Sequence, residues 1–368
     1  MSETNGHAGI GLHFPQSGSY CRSTDLSAPV LAADRFGEVI RETITWWNAG
    51  QDPLVVNTSG STGRPKEITF TRAQVEASIL RTSHALDLRT ASKALLCIDP
   101  RYIGGKMMIL RSLMLGMDLY CIEPTSDPLA NVALPMINLA AMVPLQVENI
   151  LQHPSSAGSF AKIRKVIIGG AAINPLLEDA LRGLGNQVWQ TYGMTETLSH
   201  IAIRNLSKGE SEYSTLTGIN ISRDGRGCLV AGVPELPEPV ITNDLIEITS
   251  PGRFRWLGRK DLVINSGGIK LITEELESRI GKVINDWTGV NGYFIAGQPD
   301  QKLGEHVTLV LEGDISGIPE KARLMNDLSG VLGRFELPRE IRVTERFMKT
   351  GGGKIDRQAS LLNSTLLF

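Results

Sequence analysis

The sequence predicts an α/β protein: a large N-terminal domain in which helices sandwich β-sheet, followed by a small α+β C-terminal domain. Three observations lead there. The 368 residues exceed one ordinary core. Short apolar runs that end in turn residues alternate with helical patterns. The texture then changes at a proline-rich connector, Pro234 to Pro239.

The elements follow in chain order. Leu54 to Val56 is an apolar run before a Gly/Ser/Thr-rich loop, and Gln74 to Leu86 has a helical pattern. Ala94 to Ile98, Leu119 to Ile122, Val166 to Ile168 and Val188 to Gln190 are candidate strands, and Met107 to Leu115 is a candidate helix. Another helix, Pro175 to Leu184, opens with Asn174 as cap and proline at its first position. Between Asp127 and Glu148 the chain is uncharged for long enough to span a bilayer. Asn131, Pro135, Asn138 and Pro144 interrupt it, so it reads as buried soluble structure. After the connector come strand-like segments around Ile246 and Phe254, helices at Glu274 to Ile280 and Lys321 to Leu332, and a strand at His306 to Leu311. The expected division is 1–258 and 259–368, because about a hundred residues suffice for a small independent domain.

Charge excludes some partners. With 37 basic and 39 acidic residues, a net charge of -2, there is no broad footprint for nucleic acid or an anionic membrane, so any anion must be bound locally. Cys21, Cys97, Cys121 and Cys228 are too scattered for a zinc site or redox dithiol and read as reduced thiols. Met1 to Pro15 has neither a basic start nor a continuous apolar core, so no secretory signal and no membrane span are expected, and the expected location is the cytoplasm. A homodimer is compatible with the sequence. The six histidines form no compact ligand set, and Asp87, Asp99 and Glu178 receive no chemistry.

The sharpest local signal is Thr58-Ser59-Gly60-Ser61-Thr62-Gly63-Arg64-Pro65-Lys66. Glycines let backbone wrap around phosphate oxygens, hydroxyls donate hydrogen bonds, and Lys66 adds positive charge. It is not a Walker A loop: Pro65 separates Gly63 from Lys66, and no Ser/Thr follows the lysine. Alone, the segment also reads as a polar surface turn. Together with the motifs below it resembles the signature of the acyl-CoA synthetase, adenylation-domain and luciferase superfamily, with Ser61-Thr62 where two threonines are usual. The resemblance runs in order from about Leu54 to Arg357. It implies an ATP-dependent, AMP-forming ligase: a carboxylic acid and ATP give an acyl-AMP, and the acyl group passes to coenzyme A. Thr58 to Gly63 and Lys66 would then hold phosphates.

Other motifs extend the likeness. Gly169-Gly170-Ala171-Ala172 follows a strand, and its small residues would let a planar base lie against backbone; in the family this turn borders adenine, with proline commonly at the Ala172 position. Thr191-Tyr192-Gly193-Met194-Thr195-Glu196 matches a second family motif. The resemblance implies that Tyr192 packs on adenine, Thr195 meets the phosphates and Glu196 binds magnesium. Magnesium takes only one or two carboxylates besides phosphates, so a single glutamate suffices. Asp244 matches the aspartate that accepts from both ribose hydroxyls, with Asn243 in place of glycine.

In the C-terminal part, Gly258 to Gly268 resembles the family's hinge segment, which makes that domain mobile, with Asp261 at the pivot and Arg259 near the ribose. Gly267 and Gly268 would admit the pantetheine arm of coenzyme A. Lys349 to Arg357 matches the motif that presents the adenylation lysine, Lys354. Magnesium and Lys354 would stabilise the charge that builds as the carboxylate attacks the α-phosphorus.

Substrate choice rests on Pro100 to Met108, where the family has acyl-pocket residues. Tyr102, Gly104, Gly105 and Lys106 are the candidates, and Tyr102 stands near a usual histidine position. Lys106 and Arg111 offer an ion pair to a substrate that keeps a second carboxylate; they also read as solvated helix charges. The compact length and the Gly-Gly segment resemble the o-succinylbenzoate-CoA ligases of menaquinone synthesis. The alternatives are another aryl or short-chain acyl-CoA synthetase, a carrier-loading adenylation enzyme, or a non-catalytic nucleotide-binding regulator. Retention of Lys66, Glu196, Asp244, Arg259 and Lys354 argues against the last.

Overall fold

A computed structural model describes residues 9–50, 53–57, 66–88, 92–314, 320–349 and 355–368. The chain divides into two compact units. One is Met1–Ile173 with Asp179–Asn220 and Ala231–Val240; the other is Asn174–Glu178 with Ile221–Val230 and Ile241–Phe368.

The first unit opens with an antiparallel pair, β1 (Gly11–Phe14) and β2 (Ser19–Arg22). Helix α1 (Arg35–Ala49) starts where Asp34 accepts from the Gly37 N–H at 2.7 Å. Strands β3 (Leu54–Asn57) and β4 (Glu67–Phe70) pair antiparallel by themselves, Leu54 opposite Phe70. Helix α2 (Arg72–Ala85) begins with a reciprocal capping box between Thr71 and Gln74. Then come β5 (Lys93–Leu96), α3 (Ile103–Leu115), β6 (Asp118–Cys121), β7 (Ile137–Met142), α4 (Pro144–Gln152), α5 (Pro154–Phe160) and β8 (Ile163–Ile168). Helix α6 (Pro175–Leu181), whose first turn falls in the second unit, is capped by Asn174, which accepts from the Leu177 N–H at 2.8 Å. It stops three residues before the expected Leu184, ahead of Gly183 at φ +80°. Strands β9 (Gln187–Met194), β10 (Ser199–Asn205) and β11 (Tyr213–Thr215) follow.

Within this unit the sheet order is β11-β10-β9-β8-β7-β5-β6-β1-β2. The inner pairs β9/β8, β8/β7, β7/β5, β5/β6 and β6/β1 are parallel, and the outer ones antiparallel. Parallel strands covered on both faces must be apolar nearly throughout, which is why Ala94 to Leu96 and Leu139 to Met142 are continuously buried. The uncharged stretch after Asp127 thus supplies an inner strand and the start of α4. Among the described residues no helix is long and apolar enough to cross a membrane.

The second unit includes parts of a ribbon ordered β12 (Asn220–Arg223), β13 (Cys228–Gly232), β14 (Val240–Ser250), β15 (Arg253–Arg259). It also holds a separate sheet. The hairpin β16 (Ile264–Ser266) and β17 (Ile269–Leu271) is followed by α7 (Thr273–Asn285), β18 (Val290–Asp300), β19 (Gly304–Gly313), α8 (Lys321–Ser329), β20 (Glu340–Thr344), α9 (Arg357–Leu362) and β21 (Thr365–Leu366). The sheet order is β17-β16-β19-β20-β21, with β18 also paired to β19. Leu276, Ile280, Ile284, Leu324 and Leu328 of the helices pack with Ile295, Val307, Leu309 and Leu311 into one core. Helix α8 ends at Ser329 rather than Leu332 because Gly330 and the Val331–Leu332 turn close it. Cys21, Cys97, Cys121 and Cys228 are buried free thiols.

Candidate active site

In the first unit β5, β7, β8 and β9 all run the same way, so the segments leaving their carboxyl ends share one edge of the sheet. That edge is where open α/β sheets hold ligands. The segments are Pro100 to Tyr102 with the first turn of α3, Gly169 to Ala172 after β8, and Thr195 to Leu198 after β9. The topology therefore gathers Tyr102, Gly104, Gly105, Gly170, Ala171, Thr191, Tyr192, Gly193, Thr195 and Glu196 along one rim. Thr58, Ser59, Gly60, Ser61, Thr62 and Gly63 lie outside the described residues; the β3–β4 pair flanks their segment, and Lys66 is exposed.

Strands β9 and β10 form a hairpin with Thr195, Glu196 and Thr197 in a turn of 3-10 helix at its tip. Gly193 faces His200 so closely that a Cβ would sit 2.3 Å from the Ser199 carbonyl oxygen and 2.4 Å from His200 Cα. Only glycine fits there. Leu198 and Ser199 have φ of +57° and +125°, unusual for residues with a side chain. The Thr197 hydroxyl braces them, accepting from the Met194 N–H at 3.0 Å and reaching the Ser199 carbonyl at 2.7 Å. Gly169 abuts Thr191, where a Cβ would lie 2.5 Å from Oγ1, and Thr191 Oγ1 donates to the Ile168 carbonyl at 3.2 Å. The Tyr192 ring meets Tyr213 edge-on at 5.8 Å, and the Arg204 guanidinium lies over Tyr213 at 5.5 Å.

Helix α3 distinguishes its two candidate cations. Lys106 is partly buried; burial depresses its pKa, with Glu42 opposing and Arg35 adding to the shift, so it answers to the charges of α1. Arg111 is 1% exposed. Among the described residues its Nη2 donates to Ser199 Oγ at 3.0 Å, Nη1 meets the Met108 sulfur at 3.9 Å, and Nε has no partner. Burial pulls its pKa down to about 10, which still leaves it charged at neutral pH. Among the described residues no carboxylate pairs with it. The solvated-charge reading of Arg111 is therefore overturned. Beside it, His200 is buried, and burial together with the Arg111 charge holds its pKa well below the usual value. Sequence reasoning missed Ser199 and His200. The available signal was a lone arginine directly after Met107-Met108-Ile109-Leu110, a run too apolar for a solvated face.

In the second unit Asp244 and Arg259 are cross-strand partners on β14 and β15, with Oδ1 and Nη1 3.9 Å apart. Asp244 is buried, and its backbone N–H donates to Thr242 Oγ1 at 3.0 Å. Arg259 forks onto Asp261, with bonds of 2.9 and 3.1 Å. Burial opposes the Arg259 charge, but Asp261, Asp244 and Glu274 outweigh it and raise its pKa; Asp261 is correspondingly lowered despite burial. Gly267 and Gly268, at φ +60° and +82°, are the two central residues of the β16–β17 turn, in which Ser266 pairs with Ile269. Two successive positive φ values favour glycine at both positions whatever else the pair does. Lys354 lies outside the described residues. Its flanks are tied by a Lys349–Ile355 bridge, and Arg357 forks onto half-buried Glu277 at 2.7 and 2.9 Å.

No group of three His, Cys, Asp or Glu residues among those described forms a metal cage. Residues 27–222 match the family model described as AMP-binding enzyme. The chain belongs to the AMP-binding enzyme family. A protein of Dyadobacter fermentans described as acyl-CoA synthetase (AMP-forming)/AMP-acid ligase II-like is 37% identical, covering 89% of this chain and 94% of that one, with a TM-score of 0.59. A probable 2-succinylbenzoate–CoA ligase of Mycobacterium tuberculosis is 29% identical over 350 residues, 90% of this AMP-binding enzyme and 87% of that relative. The o-succinylbenzoate CoA synthetase of Bacillus subtilis, solved with its acyl-adenylate intermediate, shares the fold at a TM-score of 0.70 and 21% identity, over 83% of this chain and 68% of that one.

Proposed function

We propose that this chain is an ATP-dependent, AMP-forming acyl-CoA ligase that activates o-succinylbenzoate for menaquinone synthesis, acting in the cytoplasm. The family membership and the named relatives support the reaction class. For the acid, the observation that matters most is Arg111: a buried guanidinium with an orphaned Nε and no carboxylate partner among the described residues. A charge held that way is costly unless something supplies the counter-ion. A substrate with two carboxylates can do so, because one is activated and the other remains.

The roles assigned from the sequence form part of the proposal. Thr58 to Gly63 and Lys66 hold the phosphates, Tyr192 the adenine beside Gly170 and Ala171, and Asp244 the ribose hydroxyls with Arg259 nearby. Thr195 and Glu196, both half-buried at the hairpin tip, offer a hydroxyl and a carboxylate, a donor set that suits magnesium completed by phosphate and water oxygens. When bound, magnesium neutralises phosphate charge there. Lys354 stabilises the charge that develops as the carboxylate attacks phosphorus. Domain 259–368, pivoting at Asp261, supplies Lys354 for this step and Gly267 and Gly268 for thioester formation with coenzyme A.

Incubation with ATP, magnesium, coenzyme A and a panel of acids tests this. The expected product is o-succinylbenzoyl-CoA, and R111M lowers kcat/KM for that acid by about tenfold to a hundredfold, the weight of a hydrogen-bonded charge. No thioester from o-succinylbenzoate beside strong turnover of benzoate rejects the substrate.

A further inference from the structure

A line of buried and half-buried hydrogen bonds runs away from Arg111 and has a defined direction. Arginine can only donate, so Ser199 Oγ accepts from Nη2 at 3.0 Å and keeps its own hydrogen to give. The next atom is His200 Nδ1, 3.4 Å from Ser199 Oγ. On the far side of the ring, His200 Nε2 lies 3.1 Å from Thr82 Oγ1, whose hydrogen goes to the Ser78 carbonyl at 3.1 Å. Thr82 therefore accepts from His200 Nε2–H, which leaves Nδ1 bare to accept from Ser199. Only the neutral Nε2–H form of the imidazole satisfies every partner.

The backbone around this line is over-determined. Ser199 is held at φ +125° by the Thr197 hydroxyl, and the Gly193 backbone packs against Ser199 and His200 with no room for a Cβ. Ser78 also reaches the Leu198 carbonyl at 3.5 Å, tying α2 to the same corner. Unusual backbone that the surroundings enforce this firmly points to a site whose geometry matters.

We infer that Ser199 and His200 are positioning residues that orient the Arg111 guanidinium, and so set selectivity for acids that keep a second carboxylate. Neither touches the reacting atoms. Ser199 fixes one arm of the fork, and His200 fixes the Ser199 hydroxyl, leaving Nε and Nη1 for the substrate. The inference rests on the reading of Arg111 given above.

The test compares o-succinylbenzoate with 4-oxo-4-phenylbutanoate, which lacks one carboxylate, by acid-dependent pyrophosphate exchange. S199A and H200L are expected to raise KM for o-succinylbenzoate about tenfold with little change in kcat, and to lower its selectivity over the analogue by a similar factor. H200N, whose Oδ1 can accept from Ser199, recovers most of that selectivity; a merely structural histidine would not show such rescue. Melting curves identify any variant that fails to fold, and S199A, the smallest change, decides if H200L does. If R111M abolishes selectivity while S199A and H200L keep it, the positioning role is overturned and the Arg111 reading stands. If R111M leaves selectivity intact, both fall.

Discussion

Arg111 has a stability consequence separate from its proposed role. Taking a guanidinium out of water costs several kcal/mol, and its oxygen partner among the described residues, the Ser199 hydroxyl, returns only part of that. Met107, Met108 and Leu110 around it are fully buried, so methionine, of similar length, finds an apolar setting ready for it. R111M is therefore expected to raise Tm in the absence of substrate, by roughly 2–4 °C for each kcal/mol recovered in a domain of this size, while it impairs activation of o-succinylbenzoate. Thermal melts with and without the acid check this: the wild type gains more from the ligand than the variant does. An R111M protein that is both less stable and fully selective would show that the arginine is there for packing. At this scale the sequence left Lys106 and Arg111 equivalent, because a helix pattern names faces only when one face is apolar. Helix α3 is apolar nearly all round, and which cation points inward was decided by tertiary packing.

Helix α3 and the β9–β10 hairpin are the elements that set the rim, and the two glycines opening α3 are not equivalent. A Cβ on Gly104 would meet only the Ile98 Cδ1 methyl at 3.3 Å, a flexible end that can yield. On Gly105 it would lie 2.5 Å from the Asp99 carbonyl oxygen and 2.8 Å from Pro100 Cα, both backbone. G104A is thus expected to be neutral or to stabilise by up to about 1 kcal/mol through helix propensity. G105A must push the helix off the preceding turn and cost about 1–3 kcal/mol or more. Urea unfolding of the two variants separates them, and equal effects would mean that the close approach at Asp99 is not what fixes α3. The inner strands β5, β6, β8 and β9 were legible in the sequence because two-sided burial forces uninterrupted apolar runs, whereas β7 was read only as buried structure within the uncharged stretch after Asp127. Helix ends were less so: α6 and α8 each stop three residues early, where glycine and a tight turn, rather than the apolar pattern, decide. The strained Leu198–Ser199 corner was illegible, since nothing in those residue types announces positive φ.

Across the whole molecule, the motifs that identify the family are contiguous residue strings, and so they were readable one by one; Gly169 to Ala172 leaves the end of β8, while Thr191 to Glu196 spans the end of β9 and the turn after it. What could not be read is which side chains outside the motifs support them; Glu277 under Arg357 and Ser199 against Arg111 depend on pairings 80 and 88 residues apart in sequence that only the fold creates. The proposed reaction has two steps, and they call on different groups. Adenylation needs a cation at the phosphates as pyrophosphate leaves, and Lys354 is the assigned one. Thioester formation displaces AMP by a thiol and creates no pyrophosphate charge, so Lys354 has no comparable task there. K354A is therefore expected to slow acyl-AMP formation by about a hundredfold or more while thioester formation from supplied acyl-AMP changes by less than about threefold. Single-turnover measurements of the two half-reactions separate them. Equal loss in both would mean that Lys354 serves binding or folding common to the two steps, and the division of labour along the chain would have to be redrawn.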